Sequence, residues 1–237
     1  MKSKSLSRSD CVPSANRQNP FQNLASPALL QEQVYRQITE KLITGELRPG
    51  DQLILRQLSS AMGTSPMPVR DALQRLAAQG VLVGRRTLCV PTLSPQELAD
   101  IRDIRLTLEG LLVVRAVKQA NSEGLSVLSS HYQQMEVAAE NNDLRHFLKA
   151  NAHFHLQIVH MAHSPVLAGI IEPLWLRLGP AIKLSDQEQR QLPLTLPVHR
   201  KILDAFNARD VDAAQEALRE DILDSFGALP EIGSSLE

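Results

Sequence analysis

The 237-residue sequence predicts a mainly α protein in two parts, a small N-terminal unit of three helices closed by a β-hairpin and a larger all-α helical bundle. Three observations point there. Apolar residues recur at helical spacing through most of the chain, while β-branched runs are confined to residues 81 to 90. Charge divides at the same boundary: residues 1 to 92 hold 12 Lys and Arg against 6 Asp and Glu, and the remainder 13 against 20. Finally, 43% hydrophobic and 22% charged residues is an ordinary soluble composition, with enough chain for two cores.

The same totals exclude several classes. Aromatic residues, at 3%, are too scarce for a platform that stacks single-stranded bases. Cys11 and Cys89 suit neither a disulfide framework nor a Cys-rich zinc site, which fits a reducing cytoplasm. Met1-Lys-Ser-Lys is not followed by the apolar core of a signal peptide. The longest apolar run, Val166 to Leu176, is broken by Glu172 and Pro173, so no membrane span is expected.

Residues 1–27 are rich in Ser, Asn, Gln and Pro and read as a mobile polar tail. Lys2, Lys4, Arg8 and Arg17 there either attract phosphate or are simply solvated. Residues 28–91 form the first unit. From Leu29 to Leu47, Val34, Ile38 and Leu42 recur every four residues with Leu30 and Ile43 beside them, and Arg48-Pro-Gly-Asp51 stops that helix. A short helix follows from Leu55 to Met62, with Leu58, Ala61 and Met62 inward and Gly63 as its left-handed cap. Ser65 is expected to cap the third helix by accepting a backbone N–H bond, with Pro66 and Pro68 tolerated in its first turn. Val69, Ala72, Leu73 and Leu76 make its apolar face and leave Arg70, Gln74 and Arg75 outward. After Gly80, Val81 to Val90 reads as a hairpin around the basic turn of Arg85 and Arg86. Helix, helix, turn, helix and basic hairpin describe a winged helix-turn-helix, whose third helix would enter the major groove of double-stranded DNA.

Residues 92–94 form a linker into the second unit, 95–228, which a tail of 229–237 follows. Ser94-Pro-Gln-Glu97 is a capping box, and the long helix it opens carries Ile101, Ile104, Leu108, Leu111 and Leu112. Helical patterns continue around 122–140, 143–163, 165–184, 194–208 and 210–227 with no strand between them, as in a bundle.

Arg48-Pro-Gly, Arg56-Gln-Leu-Ser, Gly63-Thr-Ser, Pro68-Val-Arg-Asp-Ala-Leu-Gln-Arg-Leu76 and Gly80-Val resemble the DNA-binding domain of GntR-family bacterial transcription regulators. The resemblance implies that Arg56 and Arg70 contact DNA, and arginine can fork onto a guanine edge or clamp a phosphate. Arg85 and Arg86 either read the minor groove or form a solvated turn. Two departures matter: Pro66 stands where relatives carry arginine, and Thr87 or a neighbour stands where they carry the wing-tip glycine. The operator sequence is therefore not transferable from relatives.

Arg105-Leu-Thr-Leu-Glu109, Asn151-Ala-His-Phe-His155, Pro197-Val-His199 and Arg219-Glu-Asp221 resemble the effector-binding domain of the fatty-acid-regulator-like GntR subfamily. There an Asp, two His and a final His hold a metal in the bundle. Carried over, the ligands are Asn151, His155, His199 and Asp221, with Asn in place of Asp and Asp in place of the last His. Two imidazoles, a carboxylate and an amide oxygen suit a divalent metal such as zinc, nickel or manganese, or else a metal-free pocket held by hydrogen bonds. Arg105 is expected to anchor a small carboxylate effector, against the alternative of a surface pair with Glu109. His153, His160 and His163 are expected at the surface or in packing, and Trp175 in the core.

The leading expectation is a homodimeric, ligand-responsive repressor on an inverted-repeat operator. A metal-dependent enzyme using His155, His199 and Asp221 is an alternative, although no motif places a separate general base or nucleophile. A regulator whose second domain only dimerises is another.

Overall fold

The computed structural model describes residues 27–181 and 195–227. The expected N-terminal tail with Lys2, Lys4, Arg8, Cys11 and Arg17, the tail 229–237, and the end of the helix expected over 165–184 lie outside the described residues. Helix α1 spans Pro27–Ile43, and Val34, Ile38, Leu42 and Ile43 are buried on its inner face, while Leu30 is exposed. Strand β1, Gln52–Leu53, leads into α2, Leu55–Ala61, and α3, Pro66–Ala78. Strand β2, Leu88–Cys89, pairs antiparallel with β1.

Two expectations need correction here. The hairpin over 81 to 90 reduces to a single bridge, Val83 with Cys89, and the partner of β2 is β1 instead. The Val81 and Leu82 N–H groups both donate to the Leu76 carbonyl at the end of α3, so they are not free for a ladder, and both side chains are buried. Gly84 makes the turn at φ 128°, where a Cβ would strike the Thr87 carbonyl oxygen. In α2, Ala61 faces solvent and Ser59 faces inward; Ser59 Oγ donates to the Arg56 carbonyl at 3.2 Å, which satisfies the buried hydroxyl.

The second unit is helical throughout its described residues: α4 (Pro95–Gln119), α5 (Ser122–Glu140), α6 (Leu144–Met161), α7 (Pro165–Ala181), α8 (Leu196–Ala208) and α9 (Val211–Gly227). The capping box at Ser94 is formed in both directions. Helix α4 packs against α6, α7 and α9, α5 against α6 and α8, and α8 against α9. One contiguous core runs through both units, because α1 packs on α7 and α6 and linker residue Leu93 is itself buried. At that seam α1 and α7 meet backbone to backbone: a Cβ at Gly179 would strike the Leu42 carbonyl oxygen and lie 2.8 Å from Ile43 Cα. Among the described residues no helix is long and apolar enough to cross a membrane.

Candidate functional site

The first site lies between α3 and the β-turn. Arg56 from α2, Arg70 and Gln74 from α3, and Arg85 and Arg86 from the turn line one cleft of about 570 Å³. All four arginines are exposed, and among the described residues none of their guanidinium groups has a hydrogen-bond or ion-pair partner. Elsewhere in the same unit Arg36 and Arg75 pair with Glu32. A cluster of free guanidinium groups raises the positive potential of the cleft and leaves donors for an incoming anion.

Ser65 is the N-cap of α3 in extended backbone, yet its side chain makes no capping hydrogen bond. The hydroxyl of an N-cap accepts from the second or third helical residue; Pro68 in the third position has no N–H to give. Its exposed hydroxyl, expected with the four arginines to contact DNA, is not among the groups lining the arginine cleft.

The second site is in the bundle. Asn151 and His155 on α6, His199 on α8 and Asp221 on α9 converge, and His155, His199 and Asp221 place one ligand atom each within 4.8 Å of the others. His155 Nε2 is 3.2 Å from Asp221 Oδ2, and His199 Nε2 is 3.4 Å from Asp221 Oδ1 and 2.8 Å from Asn151 Oδ1. Although His155 Nε2 is close to the carboxylate, it lies off hydrogen-bond alignment, so both nitrogens of this buried ring lack a hydrogen-bond partner. Phe154 meets both imidazoles in T-shaped contacts.

Arg105 and Glu109 from α4 form the adjoining wall. They make an ion pair, as the alternative reading expected, but a buried one: Nε donates to Glu109 Oε1 at 2.6 Å and each side chain is 3% exposed. Trp175 Nε1 donates to the same oxygen at 3.2 Å. Its ring carries the Arg105 guanidinium at 4.0 Å and stacks on His155 at 4.9 Å. The anion that a buried guanidinium requires is thus supplied by the chain itself.

His199 carries the clearest electrostatic signal. Its Nδ1 is 2.8 Å from the Thr195 carbonyl, an acceptor only, so Nδ1 holds the hydrogen. Burial holds the ring below the ordinary imidazole range, which leaves Nε2 as a bare lone pair. That lone pair faces the Asn151 side-chain oxygen and the Asp221 carboxylate, three acceptors turned on one another. Burial alone would raise the Asp221 carboxyl, but positive partners outweigh it and lower it: the imidazoles of His199 and His155 when protonated, and Arg105. A cation or a reoriented Asn151 amide relieves the conflict, and the donor set suits a divalent metal.

Two members of this site escaped a reading by residue type. Glu109 was visible only as the helical partner of Arg105, and Trp175 only as core. The available signal was positional: Arg105 and Glu109 sit in the stripe Leu98, Ile101, Leu112 and Ala116 that α4 buries, where charged residues need a reason. His153 and His155 face opposite ways as expected, His153 toward Glu40 of α1 at 3.3 Å.

Comparison with known proteins agrees with this two-part architecture. Residues 30–87 match the bacterial regulatory proteins of the gntR family, and residues 100–224 match the FCD domain. The HTH-type transcriptional regulator McbR of Escherichia coli strain K12 is 30% identical over 192 residues, covering 79% of this chain and 87% of that protein. The solved structure of E. coli McbR/YncC superposes with a TM-score of 0.77 at 28% identity, over 90% of this chain and all of that one. The HTH-type transcriptional repressor RspR of the same E. coli strain is 24% identical over 193 residues, covering 81% of this chain and 85% of its own. These relatives are regulators, so the enzymic alternative for His155, His199 and Asp221 is set aside. The protein belongs to the GntR family of bacterial transcription regulators, with a winged helix for DNA and an FCD domain for a small-molecule effector.

Proposed function

We propose that this regulator is a repressor, binding an inverted-repeat operator as a homodimer and controlled by a divalent metal and a small carboxylate in the buried site. The observation that supports the ligand half is the lone pair of His199 Nε2 turned onto two oxygen acceptors, a conflict that a bound cation would resolve as a turned Asn151 amide would. Asn151, His155, His199 and Asp221 would hold zinc, nickel or manganese, and the oxygen-rich set favours manganese more than a three-imidazole site does. A bound ion supplies positive charge for an acid's oxygen, while Arg105, shared with Glu109, steers the acid from the adjoining wall. The cleft of four unpaired arginines supports the DNA half. On α4, exposed Ile104 and Leu111 flank half-buried Leu108 on one face, which suits a second copy of the chain.

Helix α7 is a physical route from ligand to DNA. Trp175 stacks on His155, and one turn later Gly179 abuts the end of α1 in the DNA-binding unit. A ligand acts by binding one placement of α7 better than another. The test uses metal-stripped full-length protein and an operator selected from random duplex DNA. Adding Mn²⁺, Zn²⁺ or Ni²⁺ is expected to change the emission of Trp175, the sole tryptophan, in the wild type and not in His199→Ala. Metal with the right carboxylate is expected to shift operator affinity by about fivefold or more. Unchanged emission and affinity across the three metals and a carboxylate panel would reject ligand control.

A further inference from the structure

We propose a second divalent-metal site, independent of the buried one, in the cleft where the DNA-binding unit meets the bundle, with Glu40, His131 and His153 as its ligands. The cleft, of about 450 Å³, is lined by Tyr35 and Glu40 of α1, His131 of α5, His153 and His160 of α6 and Glu172 of α7. Its polar groups come from four helices, so no local helical pairing explains their meeting.

Three features single out the ligand set. His153 Nε2 lies 3.3 Å from Glu40 Oε1, and Lys149 Nζ forms an ion pair with Glu40 Oε2 at 3.0 Å, which holds the carboxylate across the seam. The His131 and His153 rings are 5.5 Å apart and tilted by 56°, so they do not stack face to face. His131 Nδ1 is a buried atom with no hydrogen-bond partner. Two imidazoles and one carboxylate, with the cleft open to water for the remaining positions, are a donor set for zinc or a similar borderline ion. His160 and Glu172 pair with each other at 2.9 Å and stay outside the set.

Among the described residues, only His155, His199 and Asp221 already place three ligand atoms within 4.8 Å. An ion in the cleft would therefore have to draw the three side chains closer than they now stand, and because they come from α1, α5 and α6 it would fasten those helices together. Bound metal would set the stance of the winged helix.

The experiment loads metal-stripped full-length protein with Zn²⁺, measures bound zinc after desalting, and follows amide exchange in residues 36–43. Wild type is expected to hold one more equivalent than either His131→Gln or Glu40→Gln, and zinc to slow α1 exchange in wild type and in Asp221→Asn but not in His131→Gln. Should both cleft variants keep the wild-type zinc content, or should zinc leave α1 exchange unaltered, the site is overturned. If Asp221→Asn keeps full zinc content while His131→Gln loses an equivalent, the buried site fails and the cleft site stands. The reverse result rejects the cleft site alone.

Discussion

Arginine is used in opposite ways in the two halves of this molecule. In the cleft of the winged-helix unit Arg56, Arg70, Arg85 and Arg86 are exposed and have no partner among the described residues. In the bundle Arg105 is buried, forks onto Glu109 and lies over Trp175. Water stabilises a lone guanidinium at the surface, so the fold can leave it free and the polyanion can complete it. No such help exists in the core, where an unpaired charge is costly and the chain must encode the counter-ion beside it. Free charge marks a surface that recognises something large; paired buried charge marks a site whose geometry is set before any ligand arrives.

The largest test of this contrast is Arg105→Ala. It leaves the Glu109 carboxylate buried without its cation, and about 3–5 kcal/mol of stability is expected to be lost in chemical denaturation. Replacing the pair together, Arg105→Met with Glu109→Leu, should recover most of that. A loss below about 1 kcal/mol in the single variant would mean that the pair behaves as a surface pair. Arg70→Ala should do the reverse, weakening operator binding by about 1–3 kcal/mol while the unfolding free energy stays within about 0.5 kcal/mol. Arg86→Ala, if the side chain meets a phosphate, should lower the slope of log affinity against log salt by about 0.9.

The smallest effect lies between the two regimes. Asp143 is an exposed carboxylate with a fixed partner, accepting from the His146 N–H at 3.0 Å to cap α6. That hydrogen bond holds its carboxyl below the ordinary 3.8. The folded state therefore gains from the ionised cap above pH 3.8 and loses that gain as pH falls through the lower folded value. Asp143→Ala should cost about 1 kcal/mol at neutral pH. Denaturation curves of variant and wild type should converge in acid, and a constant gap would assign the effect to packing.

Helix positions were legible from local causes. The apolar stripe of α1, the Ser94 capping box and Gly63 before α3 each act within a few residues. Ser65 shows how a local rule can fail for an equally local reason, since Pro68 in the first turn removes one of the two donors that the cap could use. Strand β1 was not legible: Gln52 and Leu53 are strand only because Leu88 and Cys89 come back to pair with them. Glu109 and Trp175 joined the buried site for the same kind of reason, through partners tens of residues away.

By itself, then, the sequence determined the two-part helical plan, because the spacing that sets it is a local property, while the family, the expected DNA contacts and the candidate metal ligands came through resemblance. Tertiary structure alone decided that Arg105 is already answered by Glu109, that His199 turns a lone pair on two oxygens, and that α7 carries Trp175 at one end and abuts α1 at the other. Those facts depend on which helices pack together, and burial there changes the charge a side chain can bear.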